Sequence, residues 1–280
     1  MSAFSELLFP LFDTPLFRSM ARFLVRIIKP KKDILVNVQG HKMYANTLDR
    51  IIALYMWKFS ALESFETIIL RDIIKEGMSV LDIGANIGYY TLKLAKLVGT
   101  QGKVYAFEPD PNNYSLLIKN LKANNYENVV TVQAAISDKT GKLKLFICEE
   151  HKGDHRIFDS HDGRESIEIE TLRLDDFFSR NEKIDIIKMD IQGAEYLALL
   201  GMNDLIQRNE KLIIISEFSP RLLTKSGFSA ELFIDKTMGH GFKLKFINEK
   251  KKRIDPINRD DLIKLCKGEN YVSLYLARSR

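Results

Sequence analysis

From about residue 78 onward, short apolar runs alternate with stretches whose apolar positions recur every three or four residues. Strands are predicted at 79–83, 103–107, 129–134, 184–190, 211–217, 242–247 and 271–277, and helices near 88–98, 111–124, 194–208 and 229–240. This alternation predicts an α/β fold, a doubly wound and mostly parallel seven-stranded sheet of Rossmann-like type. A charged connection without helical periodicity joins the last two strands, so they are expected to pair antiparallel at one edge. An insertion at roughly 138–176 separates the third and fourth strands and carries two more predicted strands, 142–147 and 167–172.

The first 60 residues follow a different pattern and read as an N-terminal helical and hairpin extension to a domain at 61–280. Leu16, Met20, Phe23, Leu24 and Ile27 share one helical face, Arg18, Arg22, Arg26 and Lys29 the other, and Pro30 closes the segment. Such a helix either packs on the domain or a second subunit, as in a homodimer, or makes peripheral contact with an anionic membrane through residues 16–29. Packing is the commoner use of an apolar stripe. A hairpin with Gln39-Gly40 at its turn is expected at 34–44, and a helix over 63–74 stops before Gly77.

Composition narrows the picture only modestly. The 280 residues are 45% hydrophobic and 28% charged, ordinary values for a soluble globular protein. The net charge of +5 is spread along the chain, which disfavours a nucleic-acid groove and still permits an anionic partner. Two cysteines, Cys148 and Cys266, form neither a disulfide framework nor a zinc site, so a reducing, cytoplasmic setting is expected. No run of 18 apolar residues predicts a membrane span, and the N-terminus lacks the pattern of a signal peptide.

The candidate chemistry lies where predicted strands end. Val80-Leu81-Asp82-Ile83 runs into the loop Gly84-Ala85-Asn86-Ile87-Gly88, a helix follows, and the next strand ends in Glu108, twenty places beyond Gly88. A strand, glycine loop, helix, strand and terminal acid form a nucleoside-binding unit: glycines let backbone approach the ligand, and the acid accepts hydrogen bonds from both ribose hydroxyls. The loop is Gly-x-x-x-Gly, without the pyrophosphate cradle of a nicotinamide enzyme, and Asp82 suits a methionine ammonium or sulfonium. S-adenosylmethionine is therefore the expected cofactor. The third strand ends in small residues, which leave room for an adenine, with Ser137 or Asp138 at its edge. The fourth ends Lys188-Met189-Asp190-Ile191-Gln192-Gly193-Ala194-Glu195, placing two carboxylates and an ammonium at the ligand edge, and the fifth adds Glu217. In the insertion, Asp154-His155-Arg156 offers a general base and an anion clamp. Three of the five histidines, His151, His155 and His161, cluster there without a zinc-like spacing, and no metal is expected.

Four segments, in this order and spacing, resemble the FkbM-type methyltransferases: 82–91, Phe107-Glu108-Pro109, Ala135-Ile136-Ser137-Asp138 and 188–195. The resemblance covers about residues 60 to 250. It implies a class I methyltransferase fold, S-adenosylmethionine as methyl donor, and a hydroxyl acceptor on a sugar, lipid or natural product. It also implies that Gly84, Ala85, Asn86 and Gly88 hold the methionine portion, Glu108 with Pro109 the ribose, and Asp138 the adenine side. Glu66 sits where members of the family often carry a glutamate ahead of the first strand. The expected cofactor set is thus Glu66, Asp82, the loop, Glu108, Pro109, Ser137, Asp138 and Asp190. The expected catalytic set is His155, Asp190, Glu217 and Lys188, with His155 as leading base, and Asp154, Arg156 and Glu195 are expected to bind a small-molecule or glycan acceptor. Methylation of a nucleobase or amine is disfavoured by the absence of an Asn/Asp-Pro-Pro-aromatic loop after the fourth strand. An inactive binding protein is disfavoured because Gly84, Gly88 and Glu108 are all in place.

Overall fold

In the computed structural model, which describes residues 33–45, 64–148, 153–268 and 270–278, the apolar runs lie side by side. A hairpin of β1 (Ile34–Val38) and β2 (His41–Ala45) comes first, then α1 (Phe65–Ile73). The core follows as β3 (Ser79–Ile83), α2 (Tyr89–Val98), β4 (Lys103–Phe107), α3 (Pro111–Ala123) and β5 (Val129–Val132). The insertion contributes β6 (Ala135–Ile136), β7 (Gly141–Phe146) and β8 (Ser166–Leu172). Next come α4 (Leu174–Phe177), β9 (Ile186–Met189), α5 (Glu195–Leu200), α6 (Asn203–Arg208) and β10 (Ile213–Phe218). The chain then forms α7 (Pro220–Lys225), α8 (Ala230–Gly239), β11 (Phe242–Asn248), β12 (Arg253–Pro256), α9 (Arg259–Leu265) and β13 (Val272–Arg278).

The main sheet has the order β12-β11-β13-β10-β9-β3-β4-β5. The five strands from β10 to β5 are parallel, and β13, β11 and β12 run antiparallel to their neighbours. Both faces are covered, so the period-two rule sorts side chains between two cores. Leu81, Ile83, Ile187 and Met189 join one core with residues of α5, α6 and α8. Val80, Ile186 and Ile215 join the other with residues of α1 and α2. Asp82 and Lys188, opposite each other in register on β3 and β9, fall among the second set and are buried in it.

Several elements differ from the sequence reading. The sheet has eight strands, because β12 adds an edge strand whose Arg-Ile-Asp-Pro sequence carries too little apolar signal to be noticed. Its terminal proline is tolerated at an edge, where an N–H is not needed. The charged connection before β13 holds a short helix, α9, capped by Asn258 and fully burying Leu262 alone, too narrow a stripe for periodicity to reveal. The predicted 194–208 helix is two helices, α5 and α6, and the third strand stops at Val132 so that β6 can pair with β8 in a separate three-stranded sheet with β7.

The predicted hairpin is present, with Gln39 and Gly40 at positive φ in its turn. It docks on α3 through Asn120, whose side-chain oxygen accepts from Tyr44 N at 2.6 Å while its amide donates to Tyr44 O and Ile87 O. Val38 and Met43 are buried against Ile87, Leu92 and Leu117, stabilising the docked hairpin by roughly 1.5–3 kcal/mol each. The expected helix at 16–29 lies outside the described residues. No helix of the described residues is long and apolar enough to cross a membrane.

Candidate active site

The carboxyl ends of β3, β4, β9 and β10 open into a cavity of about 670 Å³, a size suited to a small molecule. Its first wall is the loop after β3 together with the end of β4. Gly84 N and Ala85 N both donate to Phe107 O, which ties the loop to β4. Asn86, with φ 50°, then turns its N–H onto Glu108 Oε2 at 2.8 Å, and Asp110 N donates to Oε1 at 3.0 Å. Glu108 is thus fixed through both oxygens, with the Asn113 side chain as a third donor to the carboxylate. Burial raises its pKa to about 7 against the pull of those backbone donors. Pro109, Ala134, Ala135 and Ile136 continue the wall.

Packing also requires the loop glycines, of which Gly84 lines the cavity. A Cβ on Gly84 would sit within the Asp190 carbonyl oxygen, and one on Gly88 would come 2.8 Å from Leu117 Cδ1. Both glycines, at φ of 85° and 94°, let protein pack on protein. Gly84→Ala is expected to cost about 1–3 kcal/mol from backbone strain alone, more with the clash, and an unchanged denaturation midpoint would contradict this. Ser137 and Asp138 do not line the cavity: Ser137 N donates to Leu172 O in the smaller sheet, and its hydroxyl donates to Asp138 Oδ1 at 3.1 Å.

The opposite wall is acidic. Lys188 is buried with its ammonium 3.3 Å from Asp190 Oδ2 and 4.5 Å from the centre of the Tyr90 ring. Burial opposes that charge, yet Asp190, Glu66 and Asp82 together hold the Lys188 pKa above the usual lysine value. Asp82 itself lies behind the wall, accepting from Thr91 Oγ1 at 2.6 Å, and burial raises its pKa. Gln192, at φ 52°, donates its amide both to Asp190 Oδ1 at 2.8 Å and to Glu217 Oε2 at 3.1 Å. Burial first, then the charges of Asp190 and Glu195, raise the Glu217 pKa and keep it protonated at neutral pH. Burial also opposes the Asp190 carboxylate, but Lys188, Gln192 and Glu217 hold its pKa below the ordinary value. Asp190 is 40% exposed, toward the cavity. Glu195 does not line the cavity, since its two oxygens accept from Ile191 N and Gly193 N at the start of α5. Glu195 thus shapes the Asp190 loop from behind the cavity wall, away from the position expected of an acceptor-binding residue.

The insertion contributes Leu145, Gly153, His155 and Ile157 to the cavity wall. His155 lines the cavity, but Cys148 N donates to its Nδ1 at 3.0 Å, which places the proton of a neutral ring on Nε2. That nitrogen lies 4.0 Å from Asp110 Oδ2, two residues beyond Glu108. The Nδ1 lone pair is thus spent on Cys148 N and Nε2 points to Asp110 beside Glu108, whereas Asp190 faces the cavity. Asp154 and Arg156 are also off the wall. Arg156 grips Asp154 bidentately at 2.7 to 3.0 Å, and Arg164 donates to the same carboxylate at 2.8 Å, so the expected anion clamp is an internal brace of the insertion.

Several residues at the site escaped the sequence reading. Tyr90 and Gln192 lie within segments 82–91 and 188–195 yet carry no chemical signal of their own. Asp110 reads as a helix cap, which it is, accepting from Asn113 N at 2.8 Å. Glu249 lines the cavity and accepts from Phe65 N and Glu66 N, a pairing across more than 180 positions that no local pattern encodes. Among the described residues no group of three or more His, Cys, Asp and Glu side chains is arranged to hold a metal ion.

Comparison with known proteins gives a consistent family. The Methyltransferase FkbM domain matches residues 82–252. Methyltransferase sdnD of Sordaria araneosa is 25% identical, with 50% of this chain and 66% of that protein covered. Hexuronic acid methyltransferase AglP of Haloferax volcanii is 26% identical, covering 57% of this chain and 65% of that protein. 2-O-methyltransferase NoeI of Sinorhizobium fredii is 28% identical, covering 56% and 69%. The chain thus spans about two thirds of the length of these relatives.

Proposed function

The chain belongs to the FkbM methyltransferase family, whose members depend on S-adenosylmethionine, and from that premise we propose that it methylates a hydroxyl group on a sugar, lipid or other small molecule. The observation that carries this reading is the joining of two walls in one cavity: Glu108, buried and oriented, on one side, and the Lys188–Asp190–Glu217 group on the other. The residues fit the cofactor. A buried and oriented carboxylate suits a ribose diol, and an acidic wall suits a ligand bearing ammonium and sulfonium groups. S-adenosylmethionine, when bound, supplies a methyl group activated on sulfur.

The protein's own work is orientation, exclusion of water and handling of one proton. The insertion and the Met43 hairpin screen the cavity, and holding two reactants in line is worth up to about 7–11 kcal/mol. Asp190, kept ionised by Lys188, takes the proton of the acceptor hydroxyl. Gln192 holds Asp190 in place, and protonated Glu217 stands beside it, able to pass a proton on. We keep residues 61–280 as the methyltransferase domain and residues 1–60 as an extension whose hairpin docks on it. A cytoplasmic setting is supported by two free cysteines, and membrane contact or a homodimer through residues 16–29 belongs to the same reading.

The test is calorimetry with S-adenosylmethionine followed by transfer of a labelled methyl group to a panel of neutral sugars, glycolipids and simple alcohols. Micromolar affinity, about −8 kcal/mol, and label on a hydroxyl oxygen are expected. An absence of binding, or label on nitrogen, would overturn the reading.

A further inference from the structure

One ammonium serves the whole acidic wall. Lys188 is the only lysine or arginine among the described residues lining the cavity, and it faces Asp190, Glu66 and Asp82 together. The next carboxylate, Glu249, is already matched by Lys252 at 2.9 Å and by the first N–H groups of α1. Neutralisation around Lys188 is therefore incomplete on the side of the cavity that adjoins β3 and β9. By sheet order this lies beside the β4 end that holds Glu108, with neighbouring strands about 4.8 Å apart. A nucleoside seated on Glu108 would carry its sulfur substituent toward this wall.

We propose that the wall makes the site choose between donor and product by charge, with Asp190 and Glu66 as the discriminating residues. The inference rests on the methyl-donor reading above. In the transfer, the bond from sulfur to methyl breaks, the bond from methyl to the acceptor oxygen forms, and the hydroxyl proton passes to Asp190. The cationic sulfonium becomes an uncharged thioether, S-adenosylhomocysteine, and the proton on Asp190 then leaves to solvent. The product keeps its amino-acid ammonium and carboxylate but has lost the sulfonium charge, so the wall holds it less tightly than the donor, and product leaves readily and inhibits weakly. One unit charge a few ångströms from a half-compensated carboxylate in a partly wet site corresponds to a preference of about tenfold or more.

The experiment is calorimetry on the full chain with four ligands. They are S-adenosylmethionine, S-adenosylhomocysteine, sinefungin, which places an ammonium where the sulfonium methyl would be, and uncharged 5′-methylthioadenosine. The two cationic ligands are expected to bind at least about tenfold more tightly than S-adenosylhomocysteine. Glu66→Gln and Asp190→Asn are each expected to shrink that ratio, by weakening the cationic ligands while moving S-adenosylhomocysteine little. Glu66→Gln, on the cavity wall rather than in the central ion pair, serves if Asp190→Asn fails to fold. Equal or tighter binding of S-adenosylhomocysteine to the wild type would overturn the proposal and leave the donor reading standing, as would a ratio that both variants preserve. Failure of all four ligands to bind would overturn the donor reading and this proposal with it.

Discussion

Glu108→Ala is expected to weaken S-adenosylmethionine binding by about 10²–10⁴, the largest effect on affinity of any single change at this site. Two hydrogen bonds to a charged acceptor are lost, each worth roughly 1.5–3 kcal/mol, and Asn86 N and Asp110 N lose the partner that orients them. A loss of stability of about 1–3 kcal/mol for each backbone donor left unpaired should accompany it, so affinity is measured well below the melting temperature. A pH dependence accompanies it. The empty site holds Glu108 at a pKa of about 7, raised from the usual glutamate value by burial, so the carboxyl is protonated below neutrality and ionised above. Ribose hydroxyls donate best to the ionised form, so affinity should fall by about tenfold between pH 8 and pH 6, with uptake of the ligand at pH 6 releasing a proton. Calorimetry in buffers of different ionisation heat measures both quantities. Affinity that is flat with pH in the wild type, or retained in Glu108→Ala, would show that the nucleoside sits elsewhere, and Glu108→Gln should bind weakly with no pH dependence at all.

Glu108 shows how far the sequence carries. Strand ends are legible because a fully buried parallel strand is a continuous apolar run, and the first polar residue after it marks the ligand edge. Glu108 and Asp190, the residues that directly follow β4 and β9, are legible in this way, whereas Asp82 falls inside β3 and lies behind the wall. What each does there depends on partners that only the fold supplies. Glu195 and Glu217 are both acids near the carboxyl end of a core strand, yet the first accepts from two backbone N–H groups of its own turn away from the cavity and the second faces the cavity. Arg156 reads as an anion clamp until Asp154 and Arg164 are seen closing on one another around it. The glycines of the loop have a second reason that no local pattern displays, because the Cβ they lack would strike Asp190 and Leu117. The short elements, β12 and α9, were missed because four to seven residues with one or two buried side chains make no period.

The choice of base is the point at which sequence and structure part most clearly, and it has a kinetic test. With an acceptor identified from the panel, Asp190→Asn is expected to lower kcat by about 10²–10⁴, the usual worth of a positioned proton acceptor. His155→Gln should leave kcat within a few fold, because the imidazole lone pair is already committed to Cys148 N and the ring stands beside Asp110 on the nucleoside side. Its effect should appear instead in the KM for the donor. The pH profiles separate the two groups independently of either variant. Lys188, Gln192 and Glu217 hold the Asp190 pKa below the ordinary aspartate value, so Asp190 stays ionised across the neutral range and kcat should be level between pH 6 and 8. kcat/KM for the donor reports the empty site and should decline below about pH 7, as Glu108 takes up a proton. An imidazole base would instead impose a limb near neutrality on kcat itself. A kcat that falls toward pH 6 in the wild type and loses that limb in His155→Gln would return the role of base to the histidine, and would require the Cys148–His155 bond to break when the acceptor binds.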